Sequence, residues 1–312
     1  MSYLVSGDLQ SMRTNEATTV DGRKLTLTHL DKALWPDGWT KGQALHYYAR
    51  IAPFMLPHLR RRPASFLRFP DGIDAQTFYA KTPPPGTPAW VPRVGVPSRT
   101  EGTKPHVAVD GLASLITLAN LGCLEVHVPQ WTAPHPDRHD RLVIDLDPGP
   151  GTSIVHCARV ALAARTLLER DGLTCVAKTS GSKGLHLYAP LDQTPAQQVG
   201  AYAGALARTL AAALPDHVTA TMAKAARPGK VFVDWSQNNT AKTTVAPYSL
   251  RARPTPTVST PVTWDEIEAC TSPDQLAFTP DQVLDRVEQH GDLLADLLDP
   301  GLAAMPPARR MG

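Results

Sequence analysis

The sequence predicts a mixed α/β protein of the α+β kind. Two patterns carry that expectation. Short apolar, strand-like runs recur along the whole chain, and runs with helical spacing are interleaved with them. The third observation is size: 312 residues, 42% of them apolar, can bury a substantial core as one large domain or two small ones. The 30 prolines, about twice the usual share, are spread along the chain and predict a loop-rich globular protein rather than a disordered one.

Residues 1–20 are polar and are expected to be loose. LTLTHLDKALWP reads as a short strand and a turn. Thr40 to Leu59 has helical spacing, with Leu45, Tyr48, Ala49 and Ala52 on one stripe. Pro83 to Pro105 must be extended or looped, because proline blocks helix interiors and sheet centres. A helix is predicted over Val109 to Leu121, followed by the strand LEVHV. LVIDLD is a strand and PGPGTS a turn. Ser153 can cap a helix that runs to about Arg170 and stops at Gly172. TCVAKTS and LHLYAP are strands around the loop GSKG. Gln197 to Leu214 is an Ala-rich helix, KVFVDW is a strand, and one or two helices follow Trp264.

Several classes are excluded. No apolar run reaches the length of a membrane span, and no basic start followed by an apolar stretch marks a secretory signal. Cys123, Cys157, Cys175 and Cys270 are far apart and match no zinc spacing, so they are expected to be reduced thiols. The net charge of +2 is uninformative, but its distribution is not. From Asp265 onward there are ten acidic and three basic residues; the preceding 264 residues carry 28 basic against 19 acidic groups, net +9. That asymmetry suits a body that meets phosphates, although a solvated basic face fits it too.

In LVIDLDPG, Asp145 and Asp147 are two apart on a strand, so both carboxylates face one side while Leu142, Ile144 and Leu146 face a core. Paired carboxylates repel unless cations sit between them, and hard oxygen ligands suit Mg²⁺ or Mn²⁺. Read alone, the pair also fits a structural acidic loop, a phosphatase or a glycosyltransferase. The phosphatase strand motif, however, wants Thr or Val where Gly149 stands. Asp234 ends a second apolar strand and is either a third ligand or a turn former. In TSGSKGLH, glycine backbone, Ser180, Ser182 and Lys183 form a candidate phosphate loop, with a plain hairpin turn as the alternative. His186 and Tyr188 share one face of the next strand.

LVIDLDPGPG, TSGSKGLHLYAP and VFVDWSQNNTAKTTVAPYSLRARP, in that order, resemble the three motifs of the polymerase domain of bacterial ligase D, in the archaeo-eukaryotic primase superfamily. The resemblance covers residues 20–300 or so. It implies a primase-like core of central β-sheets flanked by helices. It also implies that residues 21–300 form a single primase-polymerase domain, between an expected flexible segment 1–20 and a tail 301–312. It implies a polymerase of non-homologous end joining that extends primers, fills gaps and processes ends by two-metal nucleotidyl transfer. Ribonucleotides and Mn²⁺ are expected to be preferred, with Mg²⁺ as the other candidate ion. Gap repair without Ku is the alternative context, and a metal-dependent phosphoesterase and a DNA-end-binding module are the rival readings.

Residue by residue, Asp145, Asp147 and Asp234 match the metal-binding triad. His127, Ser180, Lys183, His186, Gln237, Arg251 and Arg253 match the nucleotide site. Lys32 and Lys41 match lysines that capture a 5′-phosphate across a gap. Phe78 and Tyr79 match an aromatic pair that stacks on DNA, often Phe-Phe in relatives. Lys224 and Arg227 fall at template or primer contacts. The third motif lacks the Tyr-x-x-Asn that many relatives carry after the Asp. No KxDG ligase motif is present, so the chain is either an excised domain or, as expected here, a stand-alone polymerase working on gapped or broken DNA with a separate ligase and Ku. It is expected in the bacterial cytoplasm, at the nucleoid.

Overall fold

The protein is described here by a computed structural model covering residues 15–98, 102–299 and 305–306. Along the chain it runs β1 (Asn15–Val20), β2 (Arg23–Thr28), α1 (Lys41–Leu59), β3 (Pro63–Arg68), β4 (Phe78–Ala80), β5 (Arg93–Pro97), β6 (Thr103–Ala108), α2 (Leu112–Asn120), β7 (Cys123–Val128), β8 (Arg138–Pro148), α3 (Ile154–Arg170), β9 (Val176–Thr179), β10 (Leu185–Pro195), α4 (Ala196–Ala213), β11 (Val218–Thr219), β12 (Val231–Asp234), β13 (Thr244–Val245), β14 (Leu250–Arg251), β15 (Thr257–Val258), β16 (Pro261–Val262), α5 (Trp264–Glu268) and α6 (Pro280–His290). The mixed α/β expectation holds.

Two larger sheets organise the chain. One has the order β11-β12-β8-β10-β9-β16; the other runs β13-β7-β3-β6-β5, with β4 paired to β3. Each sheet has its own apolar core. Leu142, Ile144 and Leu146 of β8 and Leu185 and Leu187 of β10 pack with α3 and α4. Phe66 of β3 and Leu124 and Val126 of β7 pack with α1, α2 and α6. Between the two lies a polar seam of buried side chains, including Glu125, Gln130, Arg141, Lys178, His186 and Thr244. Tyr188 and Thr244 bridge it, hydroxyl to hydroxyl, at 2.8 Å, and Gln130 Nε2 donates to Thr244 Oγ1 at 2.9 Å. Buried polar groups are costly without partners, so a seam of this kind stores its stability in hydrogen bonds rather than in apolar area.

Two local readings change. Asn15–Val20, expected to be loose, pairs with β2 along its whole length. The connecting Asp21 accepts a hydrogen bond on Oδ2 from the Ala113 N–H at 3.3 Å, which fastens the hairpin to the start of α2. The remainder of that segment and most of the tail, residues 1–14, 300–304 and 307–312, lie outside the described residues. In α1 the buried stripe centres on Ala44, Tyr48, Ile51 and Met55. Ala49 is therefore turned about 100° from Tyr48 and faces solvent. The Pro83–Pro105 segment keeps its extended reading, since it holds β5 and the first residues of β6, which pair. Pro105 is tolerated because it lies opposite Gly95, beyond the stretch where β6 also pairs with β3.

Candidate active site

Cross-strand register builds the site. Asp234 of β12 lies opposite Asp145 of β8, Asp145 opposite His186 of β10, and His186 opposite Lys178 of β9. Directly opposed residues share a face, so four strands deliver one row of ionisable side chains to the seam. Asp147, two residues beyond Asp145, joins the same face. One carboxylate oxygen from each of Asp145, Asp147 and Asp234 lies within 4.8 Å of the others. Asp145 and Asp234 are buried; Asp147 is exposed at the mouth.

Crowding has the electrostatic consequence expected for like charges. Burial, and then the charge of Asp234, push Asp145 up to about 7. Burial and Asp145 push Asp147 up to about 6. Among the described residues no Lys or Arg forms an ion pair with any of the three. His186 Nε2 approaches Asp145 Oδ1 to 3.2 Å, but the geometry is not that of a hydrogen bond, and the buried oxygen has no donor. Asp234 is held differently: Oδ1 accepts from Ser236 N–H at 3.1 Å and Ser236 Oγ at 2.5 Å, and Oδ2 accepts from Gln237 Nε2 at 2.9 Å. Three converging carboxylates, one with a buried unused oxygen, fit a hard divalent cation. Gln237 thus meets a carboxylate of the triad.

The loop after β9 is a closed hairpin. Ser180 Oγ accepts from the N–H groups of Ser182 at 3.2 Å and Gly184 at 3.1 Å, while Gly181 N–H donates to Thr179 Oγ1 at 3.3 Å. These three N–H groups are therefore spent inside the loop, and the backbone donors expected for a phosphate are not free there. Ser182 and Lys183 are what the loop exposes. Its glycines are steric requirements: a Cβ on Gly184 would stand 2.3 Å from Leu146 O, and Gly181 has φ +67°.

Across the seam, Glu125 and His127 project together from β7. Glu125 Oε2 lies 3.2 Å from His127 Nε2 and 3.1 Å from Arg251 Nε. Arg251 Nη1 donates to Ser180 O at 2.8 Å, tying this group to the hairpin. Burial holds both His127 and His186 below the usual histidine range. Arg253 follows on the same turn, its N–H donating to Arg251 O at 2.9 Å. Arg227 stacks 3.7 Å over the ring of Phe232, which is registered opposite Asp147; Lys224 is exposed in the adjoining turn.

The remaining predicted residues form a second group. Lys41 N–H donates to Lys32 O at 2.9 Å. Lys41 Nζ is buried and donates to Thr28 O at 2.6 Å; burial, then the charge of Lys32, lower its pKa to about 8. Lys32 Nζ donates to Pro70 O at 2.7 Å and Asp71 Oδ1 at 2.8 Å. Phe78 and Tyr79 are 41% and 53% exposed on β4, a conspicuous cost for large apolar side chains. Tyr79 OH lies 3.5 Å from Thr243 Oγ1, next to Thr244 of the seam. Sequence reasoning missed Lys178 and Glu125. Strand alternation offered a signal for Glu125, two residues before His127; Lys178 needed the cross-strand register.

The model of the LigD primase-polymerase domain matches residues 40–294. The chain belongs to the LigD primase-polymerase family. It is 45% identical over 286 residues to the multifunctional non-homologous end joining DNA repair protein LigD of Mycobacterium tuberculosis, covering 88% of this chain and 37% of that protein. It is 30% identical over 271 residues to the bifunctional non-homologous end joining protein LigD of Bacillus subtilis, covering 86% and 43%. The chain thus spans well under half the length of these relatives. The solved polymerase domain of M. tuberculosis ligase D in complex with DNA superposes with a TM-score of 0.82 at 44% identity, covering 88% of this chain and 98% of that one. Membership makes the protein a nucleotidyltransferase of the polymerase type. Among the described residues no helix is long and apolar enough to cross a membrane.

Proposed function

We propose that this LigD-family polymerase extends a primer 3′ end across a gap or a broken end, in non-homologous end joining or a related repair. The observation that carries the reading is the carboxylate cluster, three oxygens within 4.8 Å, on the fold of a polymerase domain solved with DNA. Asp145, Asp147 and Asp234 would hold the divalent ions, Mn²⁺ or Mg²⁺. When bound, such ions supply Lewis-acid stabilisation of the reacting oxygens.

The chain's own residues do the rest. Ser236 and Gln237 fix the Asp234 carboxylate. Ser180 shapes the hairpin that presents Lys183 to a triphosphate as a mobile point charge. Arg251, aligned by Glu125, braces the hairpin against His127 and leaves that histidine facing the nucleotide's side of the seam. Lys224 and Arg227 meet template or primer phosphate beside Asp147. Arg253 extends the cationic edge.

The second group serves the DNA. Lys32 and Lys41 pair two cations at one spot, which a 5′-phosphate would relieve, and Phe78 and Tyr79 offer faces on which any base can stack. The substrate is gapped or broken duplex DNA with a 5′-phosphate, with ribonucleotides favoured. Ku and a separate ligase are the proposed partners, in the cytoplasm at the nucleoid. Extension of gapped DNA with and without a 5′-phosphate tests this, comparing ribo- and deoxyribonucleotides in Mn²⁺ and Mg²⁺. Faster, phosphate-stimulated ribonucleotide insertion is expected; indifference to the phosphate would remove the end-capture role.

A further inference from the structure

Lys178 is fully buried in the middle of the seam, and no role is assigned to it by the motifs above. Its Nζ donates to Ser259 Oγ at 2.7 Å, lies 3.1 Å from His186 Nδ1, and reaches Thr179 O at 3.5 Å. Ser259 spends its own proton on Thr179 O, at 2.9 Å, so its oxygen must accept from the lysine. All three partners are neutral, and among the described residues no carboxylate lies within ion-pair distance of Lys178. Burying an ammonium without a counter-ion is costly, and a methionine would fill the same volume at less expense. Such a group is retained for what its charge and its N–H bonds face, and here they face the row that ends in the carboxylates.

We propose that Lys178 is a positioning residue of the nucleotidyl-transfer site, holding His186 in the tautomer that carries its proton on Nε2. The reasoning is one of donor inventory. Three acceptors surround Nζ, matching the three N–H bonds of an ammonium, which has no lone pair to offer. Burial and then the charge of Arg251 hold the Lys178 pKa well below the usual lysine range while Asp145 pulls it back, so the inventory is that of the charged form. His186 Nδ1 must then accept, and the ring proton resides on Nε2, 3.2 Å from Asp145 Oδ1. Tyr188 OH, 3.2 Å from the same Nδ1, steadies the ring from the neighbouring position on β10. Lys178 thereby sets which edge of His186 meets the metal ligands and the nucleotide. The inference rests on the polymerase reading of the row.

The test combines nitrogen-15 NMR of His186, assigned with His186→Gln, and steady-state primer extension, in wild type and Lys178→Met. In metal-free wild type the His186 ring is expected to be protonated at Nε2 and bare at Nδ1. In Lys178→Met, which keeps the volume and loses the donor, both tautomers are expected. kcat should fall roughly tenfold, the order expected for lost orientation, with nucleotide KM changed by less. A ring protonated at Nδ1 in wild type overturns the proposal, whether or not the variant folds. So does a folded Lys178→Met protein in which either the tautomer or kcat is unchanged. A wild-type protein that extends no primer would instead defeat the polymerase reading, and the tautomer measurement would be unaffected by that result.

Discussion

The two groups of predicted residues solve opposite electrostatic problems. In the seam, three carboxylates are forced together by strand register, and burial raises Asp145 to about 7. Around α1 and β4, two lysines are brought together and two aromatic side chains are left in solvent. One region holds crowded negative charge that a cation relieves; the other sets the buried Lys41 beside Lys32, which Asp71 already pairs, and there it is the Lys41 charge that a phosphate would relieve. Each is less stable alone than with its ligand, which is how preorganisation appears in an unliganded site. The regions are joined through Tyr79 and Thr243 and through the register of β4, β3 and β7, which sets Tyr79 opposite Leu67 and Leu67 opposite Glu125, but their functional side chains are different, so chemistry and end-gripping should be separable.

Metal removal gives the largest separation. Chelation should abolish extension, by about a thousandfold or more given the several kcal/mol such ions supply, and leave gapped-DNA affinity nearly unchanged by fluorescence anisotropy. A parallel loss of affinity would merge the two regions into one. Next in size, Lys41→Met should weaken binding to 5′-phosphorylated gaps roughly tenfold, as expected for one lost charge-assisted hydrogen bond. It should spare gaps without the phosphate, and equal losses on both substrates would contradict the assignment. Tyr79→Ala should cost on the order of 1 kcal/mol of DNA binding, with little dependence on the sequence beside the gap. Strong dependence would mean base reading rather than stacking.

The smallest effect is on stability. Asp145 and Asp147 have native pKa values raised above the ordinary aspartate value, so the native state binds more protons than the unfolded chain. Their contribution is fully present below about 3.8 and is lost as pH rises through about 6 and then about 7. Without metal, Asp145→Asn should therefore be more stable than wild type at pH 8, with the advantage shrinking towards pH 5, by urea denaturation. At His58 and Asp292 the sign reverses. Burial lowers the His58 pKa, and although burial opposes it, the His58 hydrogen bond holds Asp292 below its usual value, so this clamp loosens as pH falls. A variant advantage that grows on acidification would contradict the crowding of the triad.

Much of this was legible in the residues. Alternation alone placed Asp145 and Asp147 on one face and Leu142, Ile144 and Leu146 in a core, and the second apolar strand located Asp234. Alternation is a property of one strand. What could not be read was the pairing between strands, because residues such as Lys178 and Asp145 meet only through the register of β9, β10 and β8. The same limit hid the role of Ser180: its hydroxyl looked like a ligand donor, and only the hairpin geometry turned it into an acceptor for its own loop. Asn15–Val20 was missed because its polar residues earn strand structure from β2 and α2 rather than from a core. Glu125 was hidden by a plainer cause, an apolar strand in which one acid looks incidental.

The central claim is that the Asp145–Asp147–Asp234 cluster performs the chemistry and does not grip the DNA. The most direct test is to measure single-turnover primer extension and gapped-DNA affinity side by side in Asp145→Ala and Asp147→Ala. Extension should be lost in both variants while affinity stays within a few-fold of wild type, a change of under about 1 kcal/mol. Undiminished extension in both would contradict the claim.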